Sequence, residues 1–139
     1  MNRKAKAKWD GDLKTGNGFL TTDSTVLNDT AYSFKTRFDT GVGTNPEELL
    51  AAAHAGCFTM AVSAALTQKG LSAIHLETEA VVELDMVKLQ ITGVHLKMQG
   101  KVDGISAEDF VNVTKEAEKN CLISKSLSIP ITSEAVLLS

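Results

Sequence analysis

Residues 44–58 read TNPEELLAAAHAGCF. This stretch opens as a helix. Asn45 is a good cap, proline suits the first helical position, and Glu48 is placed to reach back as the far half of a capping box. Beyond Glu48 no Asp, Glu, Lys or Arg occurs before Lys69, and the run contains one of only two cysteines. The spacing predicts a helix to about Lys69, stopped by Gly70. A helix that is apolar all round fits the centre of a soluble fold. Leu49–Leu66 is also long enough to raise a membrane span. Its alanines, with His54, Thr59 and Ser63, make it weakly hydrophobic, and the reading taken is a soluble core helix with no membrane association.

Outward from that helix the pattern is mostly strand. Lys4, Lys6 and Lys8 alternate with Ala5, Ala7 and Trp9, which predicts a strand over 2–9 with a lysine face suited to a sheet edge. A second strand is expected over 18–26. A third is expected over Ala31–Phe38, with Tyr32, Phe34, Thr36 and Phe38 on one face. Asp39–Asn45 reads as a loop. After the helix come long strands near 73–86 and 87–102, where Val94, Leu96 and Met98 alternate with His95, Lys97 and Gln99. Ser106 opens a second helix reaching roughly to Cys121. An irregular stretch to Pro130 and a strand over Ile131–Leu138 close the chain. The order β-β-β-α-β-β-α-β, without linker or repeat, implies one α+β domain over residues 1–139.

The 139 residues suffice for a hydrophobic core. A formal net charge of −3 argues against nucleic-acid binding, which needs a basic field. No apolar segment follows the basic start as in an export signal. With two cysteines, a reducing, cytoplasmic compartment is expected.

Cys57 and Cys121 form no CxxC motif. As plain residues they are compatible with small buried hydrophobes. His54 shares a helix face with Cys57, so the two with Cys121 make a three-residue metal set. That set lacks the paired spacing of zinc sites, and no metal is expected. His54 reads better as a packed, hydrogen-bonded residue. A third reading is peroxidatic. A thiolate attacks a peroxide and becomes sulfenic acid, which a second thiol condenses to a disulfide. That chemistry needs a cation beside Cys57, and Arg37 is the candidate. Of the nearby carboxylates, Glu48 is the natural capping partner, while Glu47 is free to hold the arginine. Ten residues of helix rise about 15 Å, so Glu47 and Cys57 of one helix cannot meet. A shared site then requires a second copy of the chain, with helices packed antiparallel about a two-fold axis.

These motifs resemble the osmotically inducible protein C and organic hydroperoxide resistance (OsmC/Ohr) family. The resemblance spans the chain, from FKTRFDTGVGTNPEEL to KEAEKNCLISKSL around the second cysteine. The HAGC form and the arginine of FKTRF look more like the OsmC branch. The resemblance implies an OsmC-like fold with a long buried central helix and an intertwined homodimer with sites at the subunit interface. It also implies reduction of organic hydroperoxides, and of hydrogen peroxide less well, without a cofactor. By motif, Cys57 would be the peroxidatic cysteine and Cys121 the resolving one, with Arg37 as activator anchored by Glu47. The reductant would be a lipoyl-type dithiol. Phe58, Met60 and Ile123 are the expected lining of the substrate pocket. A ligand-binding or structural dimer of the same fold, with inert thiols, is the alternative.

Overall fold

The computed structural model covers Met1–Ser139. Its class is α+β, and the chain divides into two compact units, Met1–Leu49 and Leu50–Ser139.

The first unit carries β1 (Ala5–Asp10), β2 (Asn17–Thr22) and β3 (Thr30–Tyr32), antiparallel in the order β1-β2-β3. The lysine-bearing β1 lies at an edge, as its alternation suggests. The expected strand Ala31–Phe38 is not one strand. It stops at Tyr32, and Phe34–Phe38 forms a short helix, α1. Ser33 explains the switch. Its hydroxyl accepts from Thr36 N–H at 3.2 Å, while Thr36 Oγ1 accepts from Ser33 N–H at 2.8 Å. This reciprocal cap starts a helix. Phe34 and Phe38 are four residues apart, so a pattern that looked strand-like at period two also satisfies a helical pair; the rings lie 5.0 Å apart. The loop then returns to β3, where Thr44 N–H donates to Ala31 O at 2.9 Å. Gly43 (φ 141°) makes that approach possible: a Cβ there would lie 2.5 Å from Ala31 O.

Helix α2 spans Pro46–Gln68. Asn45 Oδ1 accepts from Glu48 N–H at 2.7 Å, the expected cap. The box is only half made, because the Glu48 carboxylate accepts from the Thr44 hydroxyl at 2.7 Å. Gly70, at φ 74°, ends the helix, and Leu71 N–H closes back on Leu66 O. Within the chain α2 buries one stripe: His54, Phe58, Val62 and Leu66, every fourth residue. Its other face, including Ala53, Gly56, Met60 and Ala64, is exposed.

The second unit adds β4 (Ala73–Asp85), β5 (Gln90–Val102), α3 (Ala107–Asn120), α4 (Leu122–Ser126) and β6 (Ile131–Leu137). Strands β4 and β5 pair antiparallel, and β6 lies parallel to β5. A parallel neighbour requires a crossover, and α3 and α4 supply it. The stretch after Cys121, expected to be irregular, therefore contains a short helix. Val94, Leu96, Met98 and Val102 of β5 face inward as their alternation implies. They pack with Phe58, Val62 and Leu66 of α2 and Phe110, Val113 and Ala117 of α3 into one core. Burying a large side chain of this kind stabilises by about 1.5–3 kcal/mol.

Candidate active site

The core draws the two thiols together. Cys57 sits in the middle of α2, and Cys121 occupies the joint between α3 and α4. At the joint the backbone leaves helical geometry (φ −59°, ψ 126°) for a single residue. The chain bends there, and the first N–H groups of α4 are left without helical acceptors. The two sulfurs lie 2.9 Å apart and are not bonded. Cys121 is buried, whereas Cys57 keeps partial access to solvent.

The surroundings push the two thiols in opposite directions. Burial pushes the Cys57 thiol up, and the hydrogen bond with Cys121 adds to this against weaker help from the N–H groups of Ile123 and Leu122. Burial also pushes Cys121 up. There it is outweighed by hydrogen bonds from Cys57, from the N–H and hydroxyl of Ser124, and from Ile123 N–H, so the net shift is down. Within one chain Cys57 is thus pushed up and Cys121 held down, the latter being the sulfur with more donors. The sequence-based expectation put the negative charge on Cys57, with a cation alongside.

An open, apolar hollow of about 530 Å³ lies over the sulfurs. Ala53, Met60, Ala61, Ala64, Leu122 and Ile123 line it. Met60, which is 75% exposed, and Ile123 are both on its wall. Phe58 does not line it. One residue past Cys57 it is turned about 100° around the helix, which sends its ring wholly into the core.

His54, one turn before Cys57, is fully buried. Its Nε2 lies 2.7 Å from Ser124 Oγ, so the ring is packed and hydrogen-bonded as expected. It is not gathered with the two sulfurs into a metal-ligand set. Burial pushes the imidazole down, against the nearby Glu118 carboxylate. Ser124 was not picked out from the sequence. Its only signal there is a hydroxyl three residues after a cysteine, which periodicity does not register.

Arg37 and Glu47 meet within the first unit. Arg37 Nη2 and Nε donate to Glu47 Oε1 at 2.8 Å and 3.0 Å, and Nε also approaches Oε2 at 3.3 Å. The guanidinium lies 5.2 Å from the centre of the Phe38 ring. Helix α1 makes this possible by projecting Arg37 toward the first turn of α2. Glu47 is 11% exposed and Arg37 43%. A half-exposed guanidinium with one edge held by a carboxylate keeps its remaining N–H groups available to another group.

Comparison with known proteins adds relatives along the whole chain. The OsmC-like protein family matches residues 39–134. Peroxiredoxin OsmC of Escherichia coli (strain K12) is 42% identical over 141 residues, covering 100% of this chain and 99% of the relative. Among solved structures, an OsmC-like protein from Mycoplasma pneumoniae superposes with a TM-score of 0.78 at 12% identity, covering 100% and 99% of the two chains. The organic hydroperoxide resistance protein OhrB of Bacillus subtilis does so at 0.63 and 20%, covering 97% and 98%. At such identities the structural matches speak for the fold.

Proposed function

This chain belongs to the OsmC-like protein family and is a peroxiredoxin-type enzyme, and on that premise we propose that it reduces organic hydroperoxides to alcohols through Cys57 and Cys121. One observation carries the reading: two free thiols 64 residues apart lie 2.9 Å from each other beneath an open apolar hollow. The Cys57 thiolate attacks the terminal oxygen of the hydroperoxide. An S–O bond forms, the O–O bond breaks, and the alkoxide leaves and takes a proton. Cys121 thiolate then attacks the Cys57 sulfenic acid. The S–S bond forms, the S–O bond breaks with its electron pair, and hydroxide leaves as water after protonation. A lipoyl-type dithiol returns both sulfurs to thiols through a mixed disulfide and is itself oxidised to a disulfide. Hydrogen peroxide fits the same chemistry but gains nothing from the apolar lining.

The first step needs negative charge on Cys57, and burial pushes that thiol up in the lone chain. A cation must offset that push, and Arg37 is our candidate. Glu47, which holds Arg37, stands ten residues before Cys57 on one helix, about 15 Å along its axis. We therefore assign the cation at each Cys57 to the partner subunit's Arg37, in a homodimer assembled on the exposed Ala53–Gly56–Met60–Ala64 face of α2. That face is small-sided and apolar, which suits close helix contact. Helix α2 is also long and apolar enough to cross a membrane by length and composition. We read its exposed face as a dimer surface in a cytoplasmic protein.

The decisive experiment follows cumene hydroperoxide consumption with dihydrolipoamide and, separately, with a monothiol. Turnover with the dithiol that disappears in Cys57→Ser supports the reading; undiminished turnover in that variant refutes it. The upward push on Cys57 favours one rival, a dimer of the same fold with an inert thiol. If Cys57 in the assembled protein ionises only well above neutral pH, that rival stands.

A further inference from the structure

The chain's only tryptophan and only tyrosine, with two of its five phenylalanines, have no place in its core. Trp9, Tyr32, Phe34 and Phe38 are all half-buried, and none of them belongs to the cluster built around Phe58 and Phe110. Together with Leu13 and Arg37 they line a hollow of about 260 Å³ in the first unit. The sheet is built to hold that wall. Trp9 of β1, Gly18 of β2 and Tyr32 of β3 lie in one row across the strands. Strands two places apart run about 10 Å from each other, yet the Trp9 and Tyr32 ring centres come within 5.5 Å. Gly18 allows this, because a Cβ there would lie 2.6 Å from Trp9 Cε3 and 2.4 Å from Tyr32 Cε1. The indole is also fixed through Nε1, which donates to Gly11 O at 3.1 Å. Helix α1 contributes Phe34 and Phe38, with the Arg37 guanidinium 5.2 Å from the centre of the Phe38 ring.

We propose that this hollow receives the aryl group of an aromatic hydroperoxide, and that Trp9 and Tyr32 make the enzyme select aryl over small alkyl substrates. The proposal rests on the assignment above of the partner subunit's Arg37 to each Cys57. Whatever brings that guanidinium to the reacting sulfur brings the aromatic wall with it. The wall suits such a group. An apolar cavity of about 150 Å³ accepts a benzene ring, so this hollow has room for a ring and the carbon that bears the peroxide. Aromatic rings pack on one another in tilted or offset pairs, a contact that a tert-butyl group cannot make. Arg37 is the one charged residue on the wall, and Glu47 leaves part of its N–H fork free. It therefore marks the end of the hollow at which the O–O group lies. The reaction is unchanged: an aryl hydroperoxide enters and the corresponding alcohol leaves.

Because Trp9 is the only tryptophan, its fluorescence reads the hollow directly. The reduced protein is titrated with 2-phenyl-2-propanol, the alcohol formed from cumene hydroperoxide, and with tert-butanol. A saturable change with the aryl alcohol, and none with tert-butanol at equal concentration, is expected. Absence of a saturable change overturns the proposal. So does an indole that acrylamide cannot quench in the assembled protein, since a second copy of the chain would then fill the hollow. In turnover, the quantity compared is the ratio of kcat/KM for cumene hydroperoxide to that for tert-butyl hydroperoxide. Tyr32→Leu and Phe34→Leu should each lower this ratio by about 2- to 10-fold, the worth of one aromatic pair. An unmoved ratio in a folded Tyr32→Leu protein overturns the proposal. If that variant does not fold, an unmoved ratio in Phe34→Leu does so. Failure of the wild-type protein to consume either hydroperoxide would strike the proposed function, while the fluorescence titration still decides whether the hollow binds an aryl group.

Discussion

Cys121 brings its sulfur to 2.9 Å from that of Cys57, although 64 residues of chain separate them. A disulfide bond is about 2.05 Å long. Closing the remaining distance of about 0.9 Å is a matter of side-chain rotation and a small yield at the α3–α4 joint, so no refolding is needed between reduced and oxidised states. One equivalent of cumene hydroperoxide should convert both thiols to an intramolecular disulfide, read by intact mass and by loss of thiol titre. Cys57→Ser should block this. Cys121→Ser should permit one oxidation, then accumulate sulfinic acid at Cys57.

Arg37 is held by Glu47 through two of its nitrogens, Nε and Nη2. A lysine keeps the charge but not the planar fork that grips the carboxylate. An opposite charge moves a neighbouring pKa by about 1–3 units, so Arg37→Ala should lower peroxide turnover at neutral pH by about 10- to 100-fold, and Arg37→Lys should lose less. Raising the pH should recover part of the loss by ionising Cys57 directly. Glu47→Gln should give a smaller loss of the same kind, seen in the pH–rate profile.

Gly56 lies on the exposed face of α2, and a Cβ there would meet nothing within 4 Å in the chain itself. Gly56→Arg should leave the single chain folded and even favour the helix by a few tenths of a kcal/mol or more. It should nevertheless disrupt a dimer that packs small residues against this face. Light scattering should then report a monomer, and peroxidase activity should fall with it. A Gly56→Arg protein that remained a fully active dimer would remove α2 from the interface.

Phe58 has no exposed surface and touches both the sheet and α3 through the common core. Phe58→Ala should cost about 3–5 kcal/mol in urea unfolding. Its effect on peroxide turnover should follow stability, because the ring does not line the hollow above the thiols.

His54 is held neutral by burial, so its folded-state pKa lies below the ordinary imidazole value of 6.5. Below that value the unfolded chain binds a proton that the folded chain refuses. Its contribution to stability is fully present above pH 6.5 and is lost as pH falls through the depressed folded value. The urea midpoint should decline across this acid range. His54→Gln, which has no titrating group there, should flatten the decline relative to the wild type.

Much of this arrangement follows from patterns visible in the bare chain. The alternation Val94, Leu96, Met98 marks the inward face of β5, because strand side chains alternate whatever surrounds them. Asn45 and Pro46 mark the start of α2, and Gly70 marks its end, because capping depends on atoms a few residues apart. The same local logic failed where two periods coincide. Tyr32, Phe34, Thr36 and Phe38 suit a strand by alternation, but the Ser33–Thr36 hydrogen bonds give the segment to a helix, and this aims Arg37 at Glu47. Phe58, read as pocket lining, faces the core, because only the packed orientation of α2 decides which side of that helix is inside.

The amino-acid sequence by itself determined the α+β class, the long central helix and the family, since each rests on short-range patterns or on motifs that persist without their surroundings. Tertiary structure alone decided that the two sulfurs meet 2.9 Å apart and that the buried His54 ring and Ser124 pair beside the α3–α4 joint. Those outcomes depend on where α2 crosses that joint. Many weak contacts across the core set both, and no one segment of the chain contains them.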